Sequence, residues 1–394
     1  MKRISILLLS VTMLLSLLWL TGCSSKQTEK SSASKTGDTI NIGAVVDISG
    51  PSSSLGIPER DTLQMLTDQL NANGGINGSQ VKLTIMDNKS DETEGVLAIK
   101  KLIDSEKVVA VIGASASGTS LAMVDTAQKE GVPLISMAAS SKIVEPVSDR
   151  KWVFKTAQAD TVVSNKIVNY LKSKGIQNIA FLYMNNAFGD NGKKAFANIA
   201  AKNGIKVVIE DKFEATDKEM SAQLAKIKGS DAQALLVWAI PPSASIVTRN
   251  FKELGLNIPL IHSHGIANQK FLDLAGDAAN GVILPIGKLI VADQLPDADP
   301  QKQVMLSYAK DFTAKYNNPP SAFGGHAYDA FNLLVNAIKV GGNDRGKIRD
   351  ALENTKNFTG ISGVFNMSDK DHNGLDETSM VMVEVKDGKW QLIK

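Results

Sequence analysis

Hydroxyl side chains crowd the junction between a predicted strand and a predicted helix, in the stretch VVAVIGASASGTSLAMVDTAQKEG at residues 108–131. An apolar run gives way there to Ser115, Ser117, Gly118 and Thr119, and a helical pattern follows. A helix start leaves backbone N–H groups unpaired and carries partial positive charge, so it attracts carboxylates and phosphates. The sequence therefore predicts an anion-binding turn at this junction.

A second loop of this kind, LISMAASS at residues 134–141, follows the next apolar run and contains Ala138, Ala139 and Ser140. Ligands of open α/β sheets bind beyond the carboxyl ends of the strands, so the two loops are expected to converge on one spot. Serines at such positions also cap helices, and capping remains the alternative for each loop.

A serine hydrolase is the alternative among enzymes. Gly113 to Ser117 comes close to the G-x-S-x-G turn that exposes a nucleophilic serine, but Ser117 replaces the second glycine. A histidine base would have to lie beside Ser115. The chain has four histidines: His262, His264 and His326 could face the cleft, whereas His372 lies in a turn of the tail. No G-x-G-x-x-G follows the first predicted strand and no P-loop is present, so we expect neither catalysis nor a cofactor.

Metal binding is a further alternative. His262 and His264 alternate, so they would project from one face of a strand and could chelate. No cysteine or fixed carboxylate accompanies them, and polar lining of a strand end is the preferred interpretation. The stretch DKDHNG, residues 369–374, resembles the start of a calcium loop, but its twelfth position is Met380, which favours a hairpin turn. We expect no metal site.

Short apolar runs alternate with amphipathic helices in the first half of the chain. The predicted strands are INIGAVV, VKLTIM, VVAVIG and VPLIS, which are rich in valine and isoleucine as strands buried on both faces are. A helix between the first two places Leu63, Leu66 and Leu70 on one stripe and stops at Gly74-Gly75. This pattern predicts βαβ units and a parallel sheet covered by helices on both faces.

The same pattern restarts after WVFKTAQAD, residues 152–160, with IAFLYM, VVIE, ALLVWAI, PLIHS and GVILPI as strands. Helices are then predicted near 300–316, 324–339 and 344–354, and a β-rich tail follows. The fold class is therefore predicted to be α/β, with two doubly wound parallel-sheet lobes. No short tandem repeat is present.

The N-terminus predicts export and lipid attachment. Lys2 and Arg3 precede a long apolar run that ends at LTGC, and Cys23 is the only cysteine in 394 residues. A basic flank, an apolar region and a small-residue cleavage site describe a secretory signal, with an uncleaved membrane anchor as the alternative. LTGC matches the lipobox of bacterial lipoproteins, which implies a signal peptide at 1–22, lipid on Cys23 and a polar tether at 23–38.

Charge and length narrow the class of protein further. Removal of residues 1–22 takes two of the 43 basic residues and no acidic one, which leaves 41 of each sign. A nucleic-acid-binding protein would be basic, so that class is disfavoured. About 370 remaining residues exceed what one core usually serves, in agreement with two lobes.

Five stretches occur in the order known from one family: IGAVVDISGPSSSLG, NANGGINGSQVKL, VIGASASGTSLAM, GVPLISMAASS and AFGGHAYDAFNLL. With them the chain resembles, over residues 39–394, the leucine/isoleucine/valine-binding proteins, the type I solute-binding proteins of ABC transporters. The resemblance implies two lobes joined by three crossing segments, near 156–160, 284–290 and 366–378. Lobe 1 would comprise 39–157 and 287–366, and lobe 2 would comprise 158–286 and 367–394.

The resemblance also implies roles for single residues. Ser117 would donate its hydroxyl to the carboxylate of the ligand, and Ser115 would line the same wall. Ala139 and Ser140 match positions whose carbonyl and hydroxyl take a ligand ammonium. The full set of expected ligand contacts is Leu55, Ser115, Ser117, Gly118, Thr119, Ala138, Ala139, Ser140, Phe188, Trp238, His264 and His326, with Phe188 and Trp238 as aromatic lids.

Two positions depart from the family pattern. His264 occupies the place of an acidic residue that pairs with the ammonium in relatives that bind aliphatic amino acids, and Leu55 replaces an aromatic residue. An acid such as Glu214 or Asp190 could substitute from the second lobe, or the ligand could be an oxo, hydroxy or aromatic acid without an ammonium. Recognition of a carboxylate is expected in either case.

The resemblance implies a monomeric binding protein outside the cytoplasm. It would capture a small carboxylate-bearing ligand and present it to ABC permease subunits, held at a bacterial membrane by the lipid on Cys23. The alternative is a receptor subunit that reports the ligand to a signalling partner. No kinase or methyl-accepting portion is present in the sequence, which favours transport.

Overall fold

The computed structural model describes residues 39–393. The predicted signal peptide, Cys23 and the tether lie outside the described residues. Within residues 39–393, no helix combines the length and the apolar character needed to cross a membrane.

The first lobe is built on five strands: β1 (Ile40–Val46), β2 (Val81–Asp87), β3 (Ala110–Gly113), β4 (Leu134–Ser136) and β5 (Val153–Lys155). Its first helices are α1 (Ser53–Ala72), α2 (Glu92–Asp104) and α3 (Ser117–Glu130). The strands pair in the order β2-β1-β3-β4-β5, every pair parallel. Leu63 and Leu66 of α1 are buried on one face of the sheet, and Ile99 and Ile103 of α2 are buried on the other.

The second lobe begins with five strands: β6 (Asn178–Met184), β7 (Lys206–Phe213), β8 (Ala234–Trp238), β9 (Leu260–His262) and β10 (Ile283–Gly287). Five helices accompany them: α4 (Asp160–Ser173), α5 (Ala187–Lys202), α6 (Ser221–Lys228), α7 (Ser243–Glu253) and α8 (Gln269–Ala275). Two apolar cores cover this sheet, one containing Phe251 and Phe271 and the other containing Phe196 and Trp238.

The rest of the chain serves both lobes. It contains α9 (Lys302–Tyr316), α10 (Ala322–Gly341), α11 (Arg345–Glu353), β11 (Phe358–Thr359), β12 (Val364–Phe365), β13 (Met380–Lys386) and β14 (Lys389–Leu392). Phe331 and Leu334 of α10 pack into the core of the first lobe. The antiparallel strands β13 and β14 complete the second sheet in the order β14-β13-β10-β9-β8-β6-β7.

The predicted fold class is confirmed: two doubly wound α/β lobes, between which the chain passes after β5, after β10 and between β12 and β13. The antiparallel β13–β14 edge is an addition to the parallel sheet. The segments near the passages pack into both cores, since Val291 lies in the second-lobe core while Met367 and Leu375 lie in the first. These short segments therefore pack with the lobe opposite to the one predicted for them. The predicted bounds of the two lobes stay a prediction.

One helix is longer than its apolar stripe predicts. α1 begins at Ser53, eight residues before the stretch with clear helical periodicity, and contains Pro58. Its first turns lie at the space between the lobes, and of residues 53–58 only Leu55 packs into an apolar core, which leaves too few apolar positions to mark a helical stripe. Leu55 is thereby placed on a helix at the cleft.

Candidate functional site

A cavity of about 140 Å³ lies between the two lobes. That volume is close to the size of cavity that accommodates one benzene molecule, so the cavity has room for a small molecule. Ten of the twelve predicted contacts line it: Leu55, Ser115, Ser117, Gly118, Thr119, Ala138, Ala139, Phe188, His264 and His326. Ser140 and Trp238 do not. Lining residues that the sequence did not single out include Ser52, Glu92, Met137, Asn186, Ile240 and Phe323.

The start of α3 forms one wall of the cavity. Nothing in the described part of the chain accepts a hydrogen bond from the backbone amides of Ser117, Gly118 and Thr119. The hydroxyl of Ser117 accepts from the amide of Ser140 at 3.3 Å and keeps its own proton available. Three free amides and a hydroxyl at a helix N-terminus attract an anion. The turn therefore has the unpaired donors that the predicted anion-binding role requires, and that role stays a prediction.

Ser115 lies on the same wall, but its hydroxyl is already bonded. It accepts from the amide of Asp47 at 3.1 Å and donates to the carboxyl group of Glu59. Asp47 also accepts from the side-chain amide of Asn88 at 2.9 Å and from the amide of Ala116 at 3.2 Å. Burial raises the pKa of Asp47, and it raises that of Glu59 far more, well above the usual range. Asp47 and Glu59 therefore position the turn through hydrogen bonds from outside the cavity lining.

Sequence reasoning missed this acid pair, although one signal was available. Asp47 follows the apolar run of β1 directly, and Glu59 lies in the α1 turns that face the cleft. Both side chains are fully buried. The arrangement also bears on the hydrolase alternative, because Ser115 is bonded to a carboxyl group and not to an imidazole.

The two expected acceptors for a ligand ammonium are engaged within the protein. The carbonyl of Ala139 accepts from the amide of Asp160 at 3.2 Å. The hydroxyl of Ser140 accepts from the amide of Lys142 at 3.2 Å and does not face the cavity. Ser140 instead starts the short turn that follows β4, so its role here is the capping role that was left open as the alternative.

Of the two predicted aromatic lids, only Phe188 lines the cavity. Trp238 is completely buried, and its ring centroid lies 5.9 Å from that of Phe188. Trp238 is the last residue of β8, and its side chain turns towards α5. It therefore packs behind the cavity wall, in close contact with Gly192. Two residues further on, Ile240 supplies the apolar surface that the cavity presents.

Two neutral imidazoles face the cavity from opposite lobes. Burial, with the charge of Lys155 as a smaller cause, lowers the pKa of His264 to about 3. Burial lowers the pKa of His326 to about 3 as well, with smaller contributions from His264 and Lys155. His326 Nδ1 is hydrogen-bonded to Ser362 Oγ, whereas His264 Nδ1 has no partner among the described residues. Each neutral ring offers one N–H donor and one acceptor.

A buried lysine that the sequence analysis did not single out lies close to these rings. Lys155 ends β5, is fully buried, and donates from Nζ to the carbonyl of Ala157 at 2.6 Å. Burial lowers its pKa to about 8, against the opposing effect of Asp160, Asp371 and Glu145. It is therefore mostly charged at pH 7. A lysine directly after two apolar strand residues was the available signal.

Acidic groups are almost absent from the cavity wall. Glu92 at the start of α2 lines the mouth, is exposed, and lies close to Gly118. Glu214 accepts from the side-chain amide of Asn185 at 2.5 Å and, like Asp190, does not line the cavity. Glu214 and Asp190, which were considered as partners of a ligand ammonium in place of the acid that His264 replaces, therefore lie elsewhere in the second lobe.

No group of three potential metal ligands occurs among residues 39–393. His262 Nε2 lies 3.0 Å from Thr248 Oγ1, in the core and away from the cavity. Asp371 accepts from the amides of Asn373 and Gly374, which makes the stretch DKDHNG a turn, and His372 stacks on Phe154 with ring centroids 4.2 Å apart.

Two α/β lobes that enclose a small cavity between them define a bilobed solute-binding protein. The chain belongs to the family described as periplasmic binding protein, whose pattern matches residues 39–389, and within it to the type I leucine/isoleucine/valine-binding proteins. Members of this family bind solutes outside the cytoplasm.

Named relatives agree with this assignment. The leucine-, isoleucine-, valine-, threonine- and alanine-binding protein of Pseudomonas aeruginosa is 26% identical over 326 residues, 82% of this chain and 84% of the relative. An extracellular ligand-binding receptor from Rhodopseudomonas palustris superimposes with a TM-score of 0.85 and 28% identity, covering 90% of this chain and 99% of that one. A branched-chain amino acid transporter substrate-binding protein from Streptococcus pneumoniae, solved with isoleucine, gives a TM-score of 0.79 and 28% identity, with 90% and 98% covered.

Proposed function

We propose that this chain is a lipid-anchored solute-binding protein of an ABC importer. It captures a small carboxylate-bearing ligand in the cavity between its lobes and delivers it to permease subunits. The candidate ligands are branched-chain or hydrophobic amino acids and the related oxo or aromatic acids. Lipid on Cys23 holds the protein on the outer side of a bacterial membrane.

The wall formed by α3 is the observation that carries this proposal. Ser117, Gly118 and Thr119 present free amides to the cavity, and Ser117 adds a hydroxyl. A carboxylate bound there replaces lost hydration with several donors at the positive end of a 14-residue helix. Apolar surface from Leu55, Phe188 and Ile240 accommodates the rest of a small acid.

The mechanism requires lobe closure and no bond chemistry. Contacts from both lobes to one ligand stabilise the closed arrangement, and that arrangement is what a permease recognises. The names of the relatives support the same role, because the Pseudomonas protein is a binding protein for amino acids and the Streptococcus protein serves a transporter.

A ligand panel tests the proposal. The purified mature chain is unfolded and refolded to remove bound solute, and its melting temperature is measured with branched-chain amino acids, their 2-oxo acids and benzoate. At least one free acid is expected to raise the melting temperature, because a ligand that binds only the native state stabilises it. The matched methyl ester, which lacks the anionic carboxylate, is the control. A panel in which no acid stabilises the protein, or in which ester and acid act equally, contradicts the proposal. NMR of the recovered ligand is expected to show it unchanged.

A further inference from the structure

The cavity offers no enclosed carboxylate to a ligand cation. Glu92 is the one acidic residue among the described residues that line it, and Glu92 is exposed at the mouth. Asp47 and Glu59 lie behind Ser115 and outside the lining. A buried ammonium without a paired carboxylate loses hydration that neutral acceptors replace only in part.

The positive charges around the cavity also disfavour a ligand ammonium. The start of α5 faces it as well as the start of α3, and the amides of Ala187 and Phe188 donate to no acceptor within the described chain. The partial positive charges of two helix N-termini, one from each lobe, therefore converge on the ligand. Lys155 is a buried cation whose charge contributes to the lowered pKa of both histidines. An ammonium would be repelled by all three features.

His264 supplies an independent observation. His264 lines the cavity with 7% of its surface exposed. Its Nδ1 is enclosed and has no partner among residues 39–393, whereas Nε2 is not among the enclosed atoms and is the ring nitrogen that a ligand in the cavity can meet. A polar atom left without a hydrogen bond when a ligand covers it is costly, so Nε2 requires a partner on the ligand. The uncharged ring can donate one hydrogen bond to an oxygen next to the carboxylate.

We propose that the ligand is a 2-oxo or 2-hydroxy acid with an apolar side chain and no ammonium, an inference that rests on the proposed function. Its carboxylate accepts from Ser117 and the amides that begin α3. Its 2-oxygen accepts from the ring of His264. Its side chain packs against Phe188, Ile240 and Leu55.

Three acids that share one side chain provide the test: 4-methyl-2-oxopentanoate, 4-methylpentanoate and leucine. They differ only at carbon 2, which carries an oxo group, two hydrogens or an ammonium. Calorimetry on the wild-type mature chain is expected to show the oxo acid binding about tenfold or more tightly than 4-methylpentanoate, which cannot satisfy His264. Leucine is expected to bind most weakly. If leucine binds more tightly than the oxo acid, the inference is overturned while the proposed function stands.

Two variants test which side chain causes the preference for the oxo acid. His264→Phe keeps the aromatic packing but removes both ring nitrogens, so the advantage of the oxo acid over 4-methylpentanoate is expected to vanish. Affinity for 4-methylpentanoate is expected to be retained, which shows that the variant is folded. Glu92→Gln removes a negative charge next to Gly118, so it is expected to strengthen binding of the two acids without an ammonium and to leave the oxo acid the tightest of the three. A preference of the wild type for leucine that Glu92→Gln removes would identify Glu92 as the ammonium partner and overturn the inference.

The outcomes also distinguish failure of the proposed ligand class from failure of the proposed function. If no 2-oxo acid of the wider panel binds but another free acid does, the ligand class is wrong and capture of a carboxylate stands. If no free acid of the panel binds, the proposed function fails as well.

Discussion

His326 Nδ1 lies 2.8 Å from Ser362 Oγ, which joins a residue of the cavity wall to the loop between β11 and β12. Thr156 donates to the carbonyl of His326 at 2.9 Å, and Gln158 donates to the carbonyl of Ser362 at 2.6 Å. Thr156 and Gln158 belong to the first passage between the lobes. The cavity wall is therefore hydrogen-bonded to one of the segments that join the two lobes.

Replacing Ser362 tests this connection. Ser362→Ala leaves His326 without its Nδ1 partner, so the ring is less well held for the ligand. We expect affinity for the tightest acid of the panel to fall by about 1 kcal/mol, the usual net value of a hydrogen bond. Calorimetry measures it, with the exposed Ser148→Ala as the matched control. Equal affinities in the two variants would show that His326 is positioned by packing alone.

Replacing Ser117 tests the carboxylate wall. Ser117→Ala is expected to weaken binding of the same acid by about 1–3 kcal/mol, the cost of removing a donor to a charged acceptor. The empty protein is expected to lose at most about 1 kcal/mol of unfolding free energy, because the amide of Ser140 loses only a long 3.3 Å bond. Chemical denaturation gives the second value. Unchanged calorimetric affinity would mean that this turn serves only as a helix start.

The buried histidines predict a loss of stability in acid. Burial lowers the pKa of His262 to about 3, so between pH 6.5 and 3 the unfolded state binds a proton that the native state does not. Stability due to this group is present above pH 6.5 and is lost as the pH falls, by up to about 1.4 kcal/mol per pH unit. His262→Gln should remove that contribution, so the stability difference between wild type and variant should shrink from pH 7 to pH 4. His262 does not line the cavity, which keeps binding out of the comparison. A difference that is constant with pH would show that His262 takes up a proton as readily in the folded protein as in the unfolded chain.

Lipid attachment is tested at Cys23, which lies outside the described residues. Cys23→Ser is expected to abolish incorporation of a labelled fatty acid, because the chain then has no thiol. The melting temperature of the purified variant is expected to equal that of the wild type, since residue 23 precedes both lobes. Label that persists on the serine variant would overturn the lipobox interpretation.

Local patterns in the sequence determined the elements and the class of fold. The apolar runs correspond to β1 to β4 and β6 to β10, and the stripe containing Leu63 lies in a core, because burial on both faces of a sheet requires such runs whatever the distant chain does. The turn that begins α3 was also predictable, since helix starts and small hydroxyl residues are local signals.

Only the tertiary structure decided how the site residues are used. Ser115 is committed to Glu59, 56 positions away, and Trp238 turns into a core while Ile240 faces the cavity. The charge of the buried Lys155 acts on the ring of His264 although no local pattern relates the two residues. Side-chain direction and hydrogen-bond partners at a cleft depend on contacts between distant segments, which periodicity along one strand or helix does not encode.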